Sequence, residues 1–504
     1  MSARAVMVLG TASHVGKSII AAALCRIFAD DGYRVAPFKA QNMSLNSAAT
    51  PCGHEIGRAQ ALQAEACRIA AQPEMNPILL KPSGDASSQV VLLGRVWGQA
   101  SAANYHLQRV HDLFPVVCES YKKLAEAYDL IVLEGAGSPA EINLKASDIV
   151  NLRMAQAASA ACLLLGDIDR GGVFASLLGT LELLDLDERA LIKGFAINKF
   201  RGDPNLLRPG VAMMEERIGL PCLGVIPYLH DLGLEEEDSV ALEERPGAGL
   251  WQDGDRSPAR CVRIGVVAFP HLSNFTDFDA LKAEQMAAVA FLSRPEDVGV
   301  ADWIILPGTK QTIDDLEWLS CTGLGDAIRR FPGPIAGICG GMQMLGRAIH
   351  DPIGTENVGE PRSAAGLGML GIATTLTSEK ITRRISGCAS GRSFHGYEIH
   401  LGETVYEAAE PFAAIIREGE VTTTPDGAVG TDGRVIGSYV HGLFDDDVFR
   451  HAFLNDLRVR CGLAPATNLA FPTGQRDARI NRLATQVRQS LDVQLLRSWI
   501  EARE

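Results

Sequence analysis

Two α/β domains, each a mostly parallel sheet flanked by helices, are predicted for this chain by three observations. Short apolar runs alternate with helical stretches from Val6 to about Tyr228, and a second series of the same kind starts at "CVRIGVVAFP". Between them, residues 234–260 are rich in charge, Gly and Pro and lack a sustained apolar period, as a linker does. At 504 residues and 47% hydrophobic, the chain also exceeds what one core accommodates. The expected division is 1–233, a linker over 234–260, a second domain over 261–457, and a helical tail over 458–504.

Composition narrows the function classes. A formal net charge of −14 gives no general attraction to nucleic acid or to an anionic membrane, so an anionic ligand needs a local pocket. Eleven cysteines without a Cys-x-x-Cys pair argue against a zinc site and a disulfide framework, and read as reduced thiols of a cytoplasmic protein. Val6 to Leu9 is too short for a signal-peptide core, and no segment approaches the roughly 20 apolar residues of a membrane span. Small-molecule partners are expected.

In chain order, the first element is the strand "VMVLG", which runs into "GTASHVGKS" and a helix from Lys17 to near Gly32. Backbone N–H groups at such a helix start face an anion. Lys17 is placed to reach outer phosphates, Ser18 to offer a hydroxyl to Mg²⁺, and Gly10, Thr11 and Gly16 to shape the loop. The usual pattern has four residues between its glycines, whereas Gly10 and Gly16 enclose five, and on this stretch alone a plain strand-to-helix turn is as good a reading. Two later strand ends favour nucleotide binding. "LIVLEGAG" puts Glu134 where a carboxylate can hold Mg²⁺ or its water, and "AINKFRGD" puts Asn198 where it can read an adenine edge.

The second series contains "PIAGICGGMQMLG": an apolar strand, a sharp turn carrying Cys339 between glycines, and a helix beginning near Gly341. This is the nucleophile-elbow pattern with cysteine as nucleophile, and the helix N-terminus favours the thiolate. The Gly340 N–H, with another from the "LPGTK" loop near Gly308 and Thr309, can form an oxyanion hole. The base is His441, in "VIGSYVHGLF", or His400, in "GYEIHLG". The tail stretch "QVRQSLDVQLLRSWIEA" spaces Val487, Leu491, Val493, Leu496 and Ile500 as one amphipathic helix.

These residues carry a resemblance. "GTASHVGKS" is similar to the loop of the dethiobiotin synthetase group of ATPases, for which a glycine, five residues and Gly-Lys-Ser/Thr are the normal spacing, and whose members use ATP to phosphorylate a carboxylate. The blocks "FKAQNMSLNS", "GHEIGRAQALQAEAC", "MNPILLKPSGDASSQVVLLG", "EGAGSPAEINL", "DIVNLRMA" and "GDIDRGGVFAS" resemble the cobyric acid synthase family. The second half resembles the class I glutamine amidotransferases, which selects His441 over His400. Many of that class carry glutamate two residues after the histidine. Here that position is Leu443, leaving Asp445 or a main-chain carbonyl to orient the imidazole.

Taken together, the resemblances imply ATP- and glutamine-dependent amidation, in cobalamin biosynthesis, of the b, d, e and g carboxylates of adenosylcobyrinic acid a,c-diamide. ATP serves as a substrate with Mg²⁺, and no tightly bound organic cofactor is expected. Lys39, Lys81, Arg153 and Arg170 lie in family-like blocks and are candidate substrate cations. The related cobyrinic acid a,c-diamide synthases are the nearest alternative, against which "QNMSLNS" and "MNPILLKPSGD" argue. A partitioning-type ATPase leaves the amidotransferase half unexplained, and Cys339 argues against an inert glutamine-binding module.

Overall fold

A computed structural model describes residues 3–84, 87–101, 110–230, 232–234, 261–356, 360–467 and 475–502. All of the expected linker beyond Leu234 falls outside them. The N-terminal sheet has six strands in the spatial order Cys222–Pro227, Ile192–Phe200, Ala161–Asp167, Arg4–Gly10, Leu130–Glu134, Val35–Phe38, and every neighbouring pair is parallel. Its central strands are apolar on both faces because both are covered. Met7 and Leu9 enter one core with Ile131, Leu133 and Leu164, while Val6 and Val8 enter another with Val132, Leu163 and Leu165. Continuous apolar runs are what a sheet buried on both sides requires.

The second domain repeats this plan with the order Ala287–Leu292, Val262–Val267, Trp303–Leu306, Ile335–Ile338, Val435–Ser438, Ala428–Val429, parallel except for the last pair. Against it stands a seven-stranded sheet that the sequence reading did not anticipate, built around the long hairpin Ile372–Ala389/Arg392–Tyr406. Its tight turn, Ser390 and Gly391, has φ of 50° and 77°, the pair of positive values that lets a two-residue turn follow strand twist. A smaller four-stranded sheet, Gln41–Met43, Ile78–Gly84, Ser87–Leu92 and Arg95–Ser101, is likewise an addition, in the first domain.

The tail corrects an expectation. Instead of one helix spanning Val487 to Ile500, there are two, Arg476–Ser490 and Val493–Glu501. Asp492 breaks the run by capping the second, its carboxylate accepting from the Leu495 N–H at 2.9 Å. All five apolar residues are nevertheless buried, against the helix Lys17–Asp30 and the first sheet. Burial of each such side chain contributes about 1.5–3 kcal/mol. Arg26, fully buried, donates to Asp477 at 2.6 Å and Asn481 at 2.5 Å. The chain end thus completes the N-terminal core, with Leu491 bridging to Gly224 on the sheet's edge strand.

Candidate active sites

Both sites sit at the carboxyl ends of parallel strands, where α/β folds gather their chemistry. In the first domain the loop after Arg4–Gly10 closes on Gly16, whose φ of 97° is the left-handed conformation that glycine adopts at no steric cost. A Cβ there would lie 2.3 Å from Asn198 Nδ2, so packing forbids one as well. Lys17 Nζ donates to the carbonyls of Ala12, at 2.9 Å, and Gly137, at 3.0 Å, bridging the loop after Arg4–Gly10 and the loop after Leu130–Glu134. Ser18 Oγ donates to Glu134 Oε1 at 2.7 Å. Lys39 pairs with the same oxygen at 2.8 Å, and Gln63 donates to Glu134 Oε2 at 2.6 Å.

Other candidates of this domain are placed differently. The Thr11 N–H is spent on Leu165 O at 3.0 Å, tying the loop to the sheet. Asn198 Nδ2 donates to Val15 O at 2.8 Å and so holds the loop's back. Lys39 and Arg170 line the cleft described below. Lys81 lies instead in the domain interface, 2.7 Å from Glu55, and Arg153 stacks over the Phe114 ring at 4.1 Å.

In the second domain the turn after Ile335–Ile338 holds Cys339 at φ 51°, ψ −112°, a strained conformation that costs about 1–3 kcal/mol and aims the side chain out of the strand. Gly341 makes this possible: a Cβ there would lie 2.0 Å from Leu306 O. Gly340 packs on Thr309, and Gly308 lies beside the His441 ring, so the "LPGTK" loop and the elbow share one wall of the site.

His441 and Cys339 are buried together. The group that orients the imidazole is Asp277, missed by the sequence reading. His441 Nδ1 donates to Asp277 Oδ2 at 2.7 Å, and the Gly442 N–H donates to Oδ1 at 3.0 Å. Asp445 faces Arg58 at 3.8 Å instead, and Leu443 is core. Burial opposes the imidazolium, but Asp277 and then Cys339 outweigh it and raise the His441 pKa to about 10. The ring is therefore held as an imidazolium beside the Cys339 sulfur. His400 is held elsewhere, stacked on Tyr439 with its ring nitrogens on Gly402 O at 3.0 Å and Glu398 at 3.4 Å. Glu398 is in turn paired with Arg417 at 2.7 Å.

Between the domains runs a cleft of about 2130 Å³. Ten Lys and Arg side chains line it, Lys17, Lys39 and Arg58 among them, against five carboxylates, which supplies the local cationic pocket that the chain's net charge withholds elsewhere. Tyr397 and Gly442 reach it, but Cys339 and His441 do not. The interface is tied by a buried knot in which Lys81, at 2.7 Å, and Lys380 of the second domain, at 2.5 Å, share Glu55. Burial opposes ionisation of Glu55, yet the two ammonium groups hold its carboxyl well below the usual range.

A phosphate-loop domain joined to a Cys–His–Asp domain by a cationic cleft defines a two-domain, glutamine-dependent ligase. Comparison with known proteins agrees. Residues 6–240 match the CobQ/CobB/MinD/ParA nucleotide-binding domain, and residues 263–449 the CobB/CobQ-like glutamine amidotransferase domain. The chain is 48% identical over 522 residues to the cobyric acid synthase of Sorangium cellulosum, covering 98% of each chain. It is 46% identical over 505 residues to that of Moorella thermoacetica, covering 97% of this chain and 96% of the relative. It is 47% identical to that of Citrobacter koseri, covering 97% of each. The chain belongs to the cobyric acid synthase family, whose work is amidation in cobalamin biosynthesis.

Proposed function

We propose that this protein converts adenosylcobyrinic acid a,c-diamide to adenosylcobyric acid by amidating the b, d, e and g carboxylates, with ATP activating each carboxylate and glutamine supplying ammonia. The observation that carries the reading is the pairing of a Cys339–His441–Asp277 centre with a phosphate loop that opens into a separate cationic cleft. The Cys339 thiolate attacks the glutamine side-chain carbonyl, and the Gly340 N–H with the Gly308–Thr309 loop takes up the charge on oxygen. His441 gives its proton to the departing ammonia, leaving a γ-glutamyl thioester. It then accepts one from the water that hydrolyses the ester, and Asp277 keeps Nδ1 protonated throughout.

In the first domain Lys17 stabilises the phosphate charge as the γ-phosphoryl group passes to the substrate carboxylate. Ammonia displaces phosphate from the resulting acyl phosphate. The Ser18 hydroxyl and the buried Glu134 carboxylate, 2.7 Å apart, are hard oxygens suited to Mg²⁺, which takes few protein ligands and neutralises phosphate charge when bound. Lys39, on the same carboxylate, is placed to shift toward a phosphate or substrate anion. Arg170 and Arg58 of the cleft suit the remaining substrate carboxylates. Eleven cysteines without a disulfide among them favour the cytoplasm.

The domain limits that fit this reading are 1–233 for the first domain and a linker at 234–260, while the second domain runs past the expected limit at 457, through the helix Asp447–Arg460 to Leu463, and the tail returns to the first domain with the helix Arg476–Ser490. Incubation with ATP, Mg²⁺, glutamine and the a,c-diamide, followed by mass spectrometry, tests the assignment. Each conversion of OH to NH₂ lowers the mass by about 1 Da under the acyl-transfer scheme, and four steps are expected. Two, or none, refute it.

A further inference from the structure

The turn that orients His441 is itself held by the other domain. Asn274 stands in the left-handed conformation, φ 52°, ψ 41°, at the head of the short turn Phe275–Phe278. Its Oδ1 accepts the Ser47 N–H at 3.0 Å, and its Nδ2 lies 3.4 Å from both ring nitrogens of His441. One residue on, the Phe275 N–H donates to Asn46 Oδ1 at 3.2 Å. The turn then closes through Asp277 N–H to Asn274 O at 3.0 Å, presenting the Asp277 carboxylate to His441. Asn46, Ser47, Asn274, Asp277 and His441 are all buried, so water does not substitute for any of these bonds.

Asn46 and Ser47 are themselves fixed within the first domain. The Asn46 N–H donates to Ser44 Oγ at 3.0 Å, and Asn46 O accepts from Arg58 N–H at 3.2 Å. Ser47 Oγ donates to Glu55 at 2.7 Å, inside the charged knot that clamps the interface. Ala48 and Ala49, which follow, line the cleft.

We infer that Asn46 and Ser47, residues of the nucleotide-binding domain, are positioning residues for glutamine hydrolysis: they complete the amidotransferase site by fixing the Asn274–Asp277 turn against His441. The inference rests on the glutaminase reading of Cys339 and His441. It means that the second domain's base is oriented correctly only when the first domain is docked upon it.

The test compares Asn46→Ala with Asn46→Asp in the full chain, the aspartate keeping an acceptor for the Phe275 N–H. Glutamine hydrolysis is measured as kcat, KM and pH profile, and synthesis from ammonium chloride is measured alongside. Asn46→Ala is expected to lower glutaminase kcat about tenfold or more with glutamine KM changed less than about twofold. Its alkaline limb should move to lower pH as the Asp277–His441 contact loosens, while ammonia-dependent synthesis persists and Asn46→Asp restores most of the rate. Unchanged hydrolysis in Asn46→Ala overturns the inference. So does a joint loss of hydrolysis and ammonia-dependent synthesis that Asn46→Asp does not repair. A Cys339→Ala control that still hydrolyses glutamine overturns the underlying reading instead, which keeps the two failures apart.

Discussion

Replacing Asp277 by Asn changes one atom pair in the buried centre and leaves its shape. The Gly442 N–H, 3.0 Å from Oδ1, keeps an acceptor, whereas the group facing His441 Nδ1 changes from a carboxylate at 2.7 Å to an amide N–H. The rise of His441 from 6.5 to about 10 is the work of Asp277 and Cys339 acting against burial, and such a rise corresponds to roughly 5 kcal/mol. Assigning about half of it to Asp277 gives a loss near 10²-fold in glutamine-dependent kcat/KM. With the carboxylate gone, about half of that rise is lost while the burial penalty stays, so the alkaline limb of the glutaminase profile should retreat from near 10 toward neutrality. The assay is ammonia release and glutamine-dependent synthesis across pH, with synthesis from ammonium chloride as the internal reference, since that step needs no base at His441. A glutaminase rate unchanged at neutral pH refutes the assignment of Asp277, as does an equal fall in the ammonium-driven reaction.

Three further outcomes are expected. Lys17→Ala should abolish synthesis from glutamine and from ammonium alike, because it removes the cation bridging the two phosphate-facing loops; loss with glutamine alone contradicts that role. Cys339→Ala and His441→Ala should eliminate glutamine-dependent synthesis and spare the ammonium-driven reaction, whereas His400→Ala, which vacates a buried stack on Tyr439, should retain glutaminase turnover and show only a stability loss of about 1–3 kcal/mol on denaturant unfolding. Glu55→Gln strands Lys81 and Lys380 in the interface and should cost about 3–5 kcal/mol near neutral pH. Because the folded-state pKa of Glu55 lies below its unfolded value of 4.5, the stability it confers is present above 4.5 and is lost as pH falls below it. The gap between the parent and Glu55→Gln should therefore narrow on acidification, and a gap that widens in acid contradicts the pairing.

The parallel strands were legible because both of their faces are covered: "VMVLG", "ACLLLGD" and "DWIILPG" carry unbroken apolar runs ended by glycine or a polar residue. The hairpin Ile372–Ala389/Arg392–Tyr406 was not, since one side of much of it is exposed and its sequence, "KITRRISGCASGRSFHG", mixes charge and glycine with few apolar residues. Cys339 announced itself through its flanking glycines, and Lys17 through a loop motif. Asp277 had no such local mark. It lies 164 residues before His441, in "NFTDFD", and only docking of the two segments brings it into play. The one available signal was position: polar residues just past the strand "CVRIGVVAFP", at the carboxyl end of a parallel sheet. The break between the two tail helices was equally local and equally quiet, a single Asp492 whose capping bond competes with continuation of an otherwise good amphipathic period.

The same turn also accounts for how one chain keeps two incompatible chemistries adjacent. A cysteine nucleophile beside an imidazolium needs a dry, enclosed setting, while phosphoryl transfer to a polyanion needs an open, cationic one. Phe275, Thr276, Asp279, Ala280 and Ala283 line the cleft, spaced as one face of a helical turn. Asp277, two residues before Asp279, points to the other side and holds His441. The partition between the cleft and the glutaminase centre therefore includes a segment only one helical turn thick, running from Phe275–Phe278 into Asp279–Lys282. In the proposed scheme ammonia, made on one side and consumed on the other, is the one intermediate that the two sites share, while the nucleotide and the corrinoid belong to the cleft side. The charged knot at Glu55 fits the same requirement, since a buried carboxylate between Lys81 and Lys380 is destabilised by any separation of the domains that strands either charge, and so keeps the two faces of the wall in register.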